Sequence, residues 1–173
     1  MNIEQLKFPI GEFIPPQEVD LKLIQKSLTT LEVFPQQLEQ LVQNFNPRHW
    51  NTPYREGGWT AAQVVHHLAD SHMNSYIRFK LAALEDSPTI KAYEEKDWAK
   101  QVDATDINVS NSIAILKGVH ARLVRFLQHL DDAAYRRSYF HPEMNAYVPI
   151  YQAIPMYAWH SKHHLGHLQL IVK

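Results

Sequence analysis

The stretch WHSKHHLGH, Trp159 to His167, sets four histidines within nine residues. On a helix, His160, His163, His164 and His167 stand at i, i+3, i+4 and i+7 and so form one stripe. Two imidazoles one turn apart can chelate a small cation, as in the helical zinc motif of metalloproteases. That motif also needs a glutamate base directly after its first histidine. Here Ser161 follows His160 and His164 follows His163, which removes the peptidase reading. The chain has no cysteine. It therefore offers no thiolate nucleophile, and any metal must be held by His, Asp or Glu.

A third ligand must come from elsewhere, and the pair His66–His67 is the obvious source. Rotation along a helix separates these neighbours by about 100°, so they face different ways. His66 shares its face with Ala62, Ala69, Met73 and Ile77, and the ordinary reading is a hydrogen-bonded core histidine. His67 shares its face with Gln63, Ser71, Asn74 and Arg78, a narrow polar strip that is either the solvent side or the wall of a pocket. For Arg78 the ordinary alternatives are a surface ion pair or a structural salt bridge. Asp70 is placed either to orient an imidazole or to face water. No Glu-x-x-His pair occurs, which removes the carboxylate-bridged di-metal site of helical bundles. A Gly-rich phosphate loop and a G-x-S-x-G elbow are absent too. Metal-assisted chemistry on three histidines is what remains.

The elements that must position these groups follow from the pattern. With 173 residues, 45% apolar, 20% charged and a formal net charge of -1, the chain reads as a single domain over 1–173, with no electrostatic reason to bind nucleic acid. No stretch approaches the roughly 18 to 20 apolar residues that span a bilayer, and no leader pattern is visible, so the expectation is a cytoplasmic protein with no membrane contact. Residues 1–18 form an N-terminal arm, irregular over Phe8 to Pro16. Val19 to about Asn44 has helical spacing, with Pro35 expected to kink or split it. Thr60 with Gln63 gives a capping box that opens a long helix to about Asp86. Thr89 to Asn108 is a connection crossing the bundle, with at most a short helix around Glu94 to Lys100. Ser110 to Leu130 reads as a third helix, Tyr135 to Val148 as room for a small strand pair, and the last helix runs from Pro149–Pro155 to about Val172. Four long helices with one extended crossing connection predict an all-α four-helix bundle.

Several stretches are recognisable as they stand: FPIGEF near the N-terminus, NTPYREGGWTAAQVVHHLADSHMNSYIRFKLA from Asn51 to Ala82, YFHP at Tyr139 to Pro142, and YAWHSKHHLGHL near the end. Together they closely resemble the YfiT branch of the DinB-like superfamily over nearly the whole chain. The resemblance implies a DinB-type four-helix bundle, usually a homodimer, with one divalent metal held by three histidines. One comes from the second long helix in an H-L-A-D context and two from a His-x-x-x-His on the last. Matched position by position these are His67, His160 and His164, with Zn²⁺ expected and Ni²⁺ the alternative. His163 and His167 then fall outside the ligand set, as supporting or simply packed groups.

Three neutral imidazoles leave a Zn²⁺-like ion with an open fourth position, where a bound water or thiol loses its proton more easily. The resemblance points to a metal-dependent hydrolase that activates water. An alternative is a thiol transferase joining a low-molecular-weight thiol, of the bacillithiol kind, to an electrophile at the same ion. Asp70, Asn74 and Arg78 are then expected around the pocket, Arg78 with Asn74 holding the thiol's carboxylate or sugar. His141, Tyr54, Arg55 and Trp59 are candidates for its mouth. A third reading is non-catalytic: a metal-stapled, dimeric stress protein whose ion would be closed by a fourth protein ligand such as His163, His66 or Asp70.

Overall fold

Short polar side chains start the first two long helices. The computed structural model describes residues 2–172, with element order α1 (Ile3–Lys7), α2 (Leu21–Val42), α3 (Pro47–Asn51), α4 (Ala61–Leu84), α5 (Glu95–Trp98), α6 (Ser110–Leu127), α7 (Asp132–Tyr135), β1 (Ser138–His141), β2 (Ala146–Pro149) and α8 (Ile150–Ile171). The Asp20 carboxylate accepts from the N–H groups of Lys22 and Leu23 at the head of α2. Thr60 Oγ1 accepts from the Gln63 N–H at 3.3 Å, and Gln63 Oε1 accepts from the Thr60 N–H at 3.0 Å, completing the expected capping box of α4. Gln63 Nε2 also donates to the Ala99 carbonyl at 2.7 Å, so the same cap anchors the crossing connection.

The four long helices α2, α4, α6 and α8 make the bundle. Each packs broadly on two others: α2 on α8 and α6, α4 on α6 and α8. Round the bundle the order is therefore α2, α8, α4, α6, which puts the first and second long helices on one diagonal and the third and fourth on the other. Pro35 does not split α2, and Pro155 lies within α8 just past its first turn. The third long helix stops at Leu127 rather than Leu130, and a one-turn α7 follows. The strand pair forms as an antiparallel hairpin, Ser138 opposite Pro149 and His141 opposite Ala146. Asn145, at φ 48°, supplies the left-handed turn residue that Asn tolerates better than most. Phe140 bonds back to the connection, accepting from the Ile90 N–H at 3.0 Å and donating to the Pro88 carbonyl at 2.9 Å.

The expected arm holds one element that periodicity did not announce, the short α1 capped by Asn2. From there the chain lies along α8. Trp159 Nε1 donates to the Gly11 carbonyl at 3.1 Å and Gln152 Nε2 to that of Pro16 at 2.8 Å.

The core falls into two apolar clusters. One contains Leu28, Leu31, Phe79, Leu123, Ile154 and Tyr157, the other Phe34, Leu38, Leu68, Leu116 and Leu168. On α4, α6 and α8 the boundary between them is marked by a histidine: His72 and His120, both buried, and the half-buried His160. No helix among the described residues is long and apolar enough to cross a membrane.

Candidate metal centre

His67 comes from the second turn of α4, and His160 and His164 from successive turns of α8, two helices that pack side by side. One ring nitrogen from each converges, all within 4.8 Å of one another. The closest pair is Nε2 of His67 and Nε2 of His160, 3.2 Å apart. A tetrahedral ion with Zn–N bonds of about 2.05 Å separates its ligand nitrogens by about 3.3 Å, so the pair already stands at a chelating distance. Ring centroids lie 5.2 Å apart for His67–His160, 4.9 Å for His67–His164 and 4.6 Å for His160–His164.

Burial keeps these rings neutral, which is the ligating form. It lowers His67 to about 4. It takes His160 and His164 well below their usual range, and neighbouring imidazoles push the same way. His164 has its tautomer set from behind. His167 Nε2 donates to the Lys7 carbonyl at 3.0 Å, which leaves His167 Nδ1 as an acceptor for the Nδ1–H of His164 at 3.2 Å. The bare atom of His164 is then Nε2. A second histidine group, His163, His164 and His167, also brings one ring nitrogen from each within 4.8 Å of the others, but it shares His164 with the first. His163 is stacked on Trp159 at 4.5 Å with its Nδ1 buried and unpartnered.

The His67 face is therefore a pocket wall and not the solvent side. His67, His160 and His164 line a cavity of about 460 Å³ together with Tyr54, Arg55, Trp59, Trp159, Glu95 and Lys96. His160 also borders a second cavity of about 390 Å³ lined by Ser71, Arg78, Tyr93, His141, Glu143 and Tyr157. Glu95 and Lys96, from α5 in the crossing connection, line both. All four mouth candidates thus reach a cavity: Tyr54, Arg55 and Trp59 the first, His141 the second.

The remaining expectations divide. His66 is a satisfied core histidine, Nε2 donating to the Asp106 carbonyl and Nδ1 accepting from Ser112 Oγ, both at 2.8 Å. Arg78 is neither a surface pair nor a salt bridge. It is 9% exposed, reaches Tyr157 Oη at 3.3 Å and the Lys91 carbonyl at 3.4 Å, and leaves Nε buried without a partner. Asp70 and Asn74 line neither cavity. Asn74 Nδ2 bonds back to the Asp70 carbonyl at 2.9 Å. The half-buried Asp70 carboxyl is raised to about 6 by burial and then by Asp103, with His66 opposing. Two residues beyond the sequence expectations belong beside the centre. His72 Nε2 lies 3.3 Å from His160 Nδ1, and His120 Nε2 lies 2.9 Å from His72 Nδ1. The available signal was a histidine on an otherwise apolar stripe, His120 falling one turn from both Leu116 and Leu123.

Comparison with known proteins adds the lineage. The DinB superfamily family model matches residues 30–168. YfiT of Bacillus subtilis (strain 168) is 41% identical over 168 residues, covering 97% of this chain and 94% of that protein, and a Geobacillus kaustophilus (strain HTA426) relative is 37% identical over 172 residues, covering 99% and 97%. Both are provisionally named metal-dependent hydrolases. A solved structure of Bacillus subtilis YfiT, described as "a probable metal-dependent hydrolase with an unusual four-helix bundle topology", matches with a TM-score of 0.94, covering 96% of this chain and 95% of that one. TT2238, a four-helix bundle protein at 20% identity, matches with a TM-score of 0.58 over 84% of this chain and 98% of its own, which speaks to the fold alone. With family model, relatives and fold agreeing over the same residues, this chain belongs to the YfiT branch of the DinB superfamily.

Proposed function

We propose that this chain is a metal-dependent hydrolase whose divalent ion is held by His67, His160 and His164. The observation that carries the reading is the convergence of three neutral imidazole nitrogens, from the buried His67 and His164 and the half-buried His160, on the wall of an open cavity. Among the described residues the group has no fourth histidine or carboxylate. His66 is spent on Ser112 and Asp106, and Asp70 points to neither cavity. That arrangement favours a catalytic over a structural ion, since a structural zinc is closed by four protein ligands. The names carried by the relatives agree with hydrolysis.

A bound ion here supplies Lewis acidity and brings the pKa of a water toward neutrality. The chain supplies the rest. Trp59, Tyr54 and Trp159 line the cavity and supply its apolar surface. Arg78 places a fixed positive charge in the adjoining cavity, where His160 is shared, and no carboxylate pairs with it among the described residues. That unpaired guanidinium also favours a second reading, thiol transfer, because an anionic small thiol would find its counter-charge beside the ion.

One assay separates the two. Protein loaded with Zn²⁺, or with Ni²⁺, is offered a model ester and a model alkylating electrophile, each with and without a small thiol. Hydrolysis that proceeds without thiol supports the proposal. Product formed only as a thiol conjugate overturns it in favour of transfer, and no turnover in either arm overturns both.

A further inference from the structure

Pro35 lies inside α2 and has no amide hydrogen, so the carbonyl four residues earlier, on Leu31, has no donor from its own helix. A buried orphan carbonyl is unfavourable and is normally partnered. Here the partner comes from across the bundle: His120 Nδ1 stands 2.5 Å from the Leu31 oxygen.

That contact has a direction. A carbonyl only accepts, so the proton sits on His120 Nδ1, and a neutral imidazole with Nδ1–H has a bare Nε2. His120 Nε2 faces His72 Nδ1 at 2.9 Å, so His72 donates there and its own Nε2 is bare. His72 Nε2 faces His160 Nδ1 at 3.3 Å, so His160 donates in turn and is left with a bare Nε2, the atom 3.2 Å from His67 Nε2. Each ring copies its neighbour's polarity. His72 is 0% and His120 1% exposed, so water is not a competing partner. Phe34 lies over both rings, 6.1 Å from His72 and 5.5 Å from His120, and limits their rotation. The path draws one residue from each long helix: Leu31 on α2, His120 on α6, His72 on α4 and His160 on α8.

We propose that His72 and His120 are positioning residues: anchored on the Leu31 carbonyl that Pro35 leaves free, they hold His160 as the Nδ1–H tautomer with its Nε2 lone pair aimed at the site shared with His67 and His164. The metal half of this proposal rests on the ligand set given above, and the tautomer half does not. Partners of this kind, behind a ligating histidine, fix ring orientation and raise ligand basicity. Neither histidine touches substrate or ion.

The tautomers are readable without metal. In a long-range ¹H–¹⁵N correlation spectrum of the metal-free protein, His160, His72 and His120 should all show the Nδ1–H pattern. An Nε2–H pattern at His72 or His160 would overturn the proposal. Zn²⁺ affinity, measured by competition with a chromogenic chelator, tests the consequence. His72→Phe fills the ring's space but offers no acceptor, and should weaken Zn²⁺ about 10- to 100-fold while the circular dichroism stays helical. His72→Gln restores an acceptor oxygen and should recover part of that loss. Pro35→Ala returns a helical donor to Leu31, and should mix the tautomers at His120 and His72. Unaltered Zn²⁺ affinity in folded His72→Phe would refute the positioning role. Failure of the ligand set itself would look different, as no Zn²⁺ uptake by the unaltered protein with all three Nδ1–H signals intact.

Discussion

His67, His160 and His164 present themselves to one point while His163, in the same stripe, stacks on Trp159 with no role at that point. On the proposed ligand set, His67→Ala, His160→Ala and His164→Ala should each strip most of the bound metal, and His163→Ala should leave it largely in place. Elemental analysis of the four purified variants checks this, and equal retention across all four would contradict the assignment. At this scale the sequence was informative where chemistry is local. A His-x-x-x-His on a helix declares its geometry through spacing alone. Arg78 was harder, because a polar strip on a helix reads the same whether it meets water or a cavity, and only the packing of α5 and β1 beside it decides. The roles of His72 and His120 were not legible, for a related reason. One histidine on an apolar stripe is ordinary packing until its partner, on another helix, is known.

Elements carry the site through their contacts as much as through their ligands. Gly166 shows this for the arm. Glycine within a helix gives up about 1 kcal/mol relative to alanine, yet a Cβ here would stand 2.9 Å from Cγ and 3.2 Å from Cβ of Pro9. The proline ring has little freedom to yield. Glycine at 166 thus lets the arm seat on α8, which in turn puts the Lys7 carbonyl against His167 and, through it, orders His164. Gly166→Ala should unseat the arm. The expected signs are faster hydrogen exchange at residues 3–11 and Zn²⁺ affinity lowered by up to about 10-fold, by the same orienting effect. The helices and strand pair were legible from caps and periodicity, whereas α1 and the arm's path were not, since a proline-rich segment takes its course from the surface it lies on.

For the molecule as a whole, the diagonal order of the bundle decides what meets at its centre. Hydrophobic periodicity states which face of a helix is buried but not against which neighbour, so the crossing of α2 and α4 could not be read from the chain. The same centre makes the metal-free protein sensitive to acid. Burial lowers His67 and His120 from 6.5 to about 4, and His72, His160 and His164 shift the same way. The unfolded chain therefore takes up protons first as pH falls below 6.5, while the folded chain resists until about 4. Stability is full above 6.5 and falls through the window between these values. By pH 5 each of His67 and His120 should remove roughly 2 kcal/mol. Urea denaturation of metal-free protein at pH 7, 6 and 5 checks the sign, and a midpoint that rises on acidification would contradict it.

The 3.2 Å approach of His67 to His160 joins residues 93 apart in a chain with no cysteine. A disulfide across such a span contributes a fixed amount, whereas an ion that binds only the folded chain contributes by mass action. Above the dissociation constant, each tenfold rise in free ion adds about 1.4 kcal/mol. For a domain of this size that should raise the unfolding midpoint by about 3–6 °C per decade of free Zn²⁺, a slope that thermal scans in metal-buffered solutions would measure and that His160→Ala should flatten. The stability of this fold is then a property the chain shares with its surroundings, rising and falling with the ion they make available.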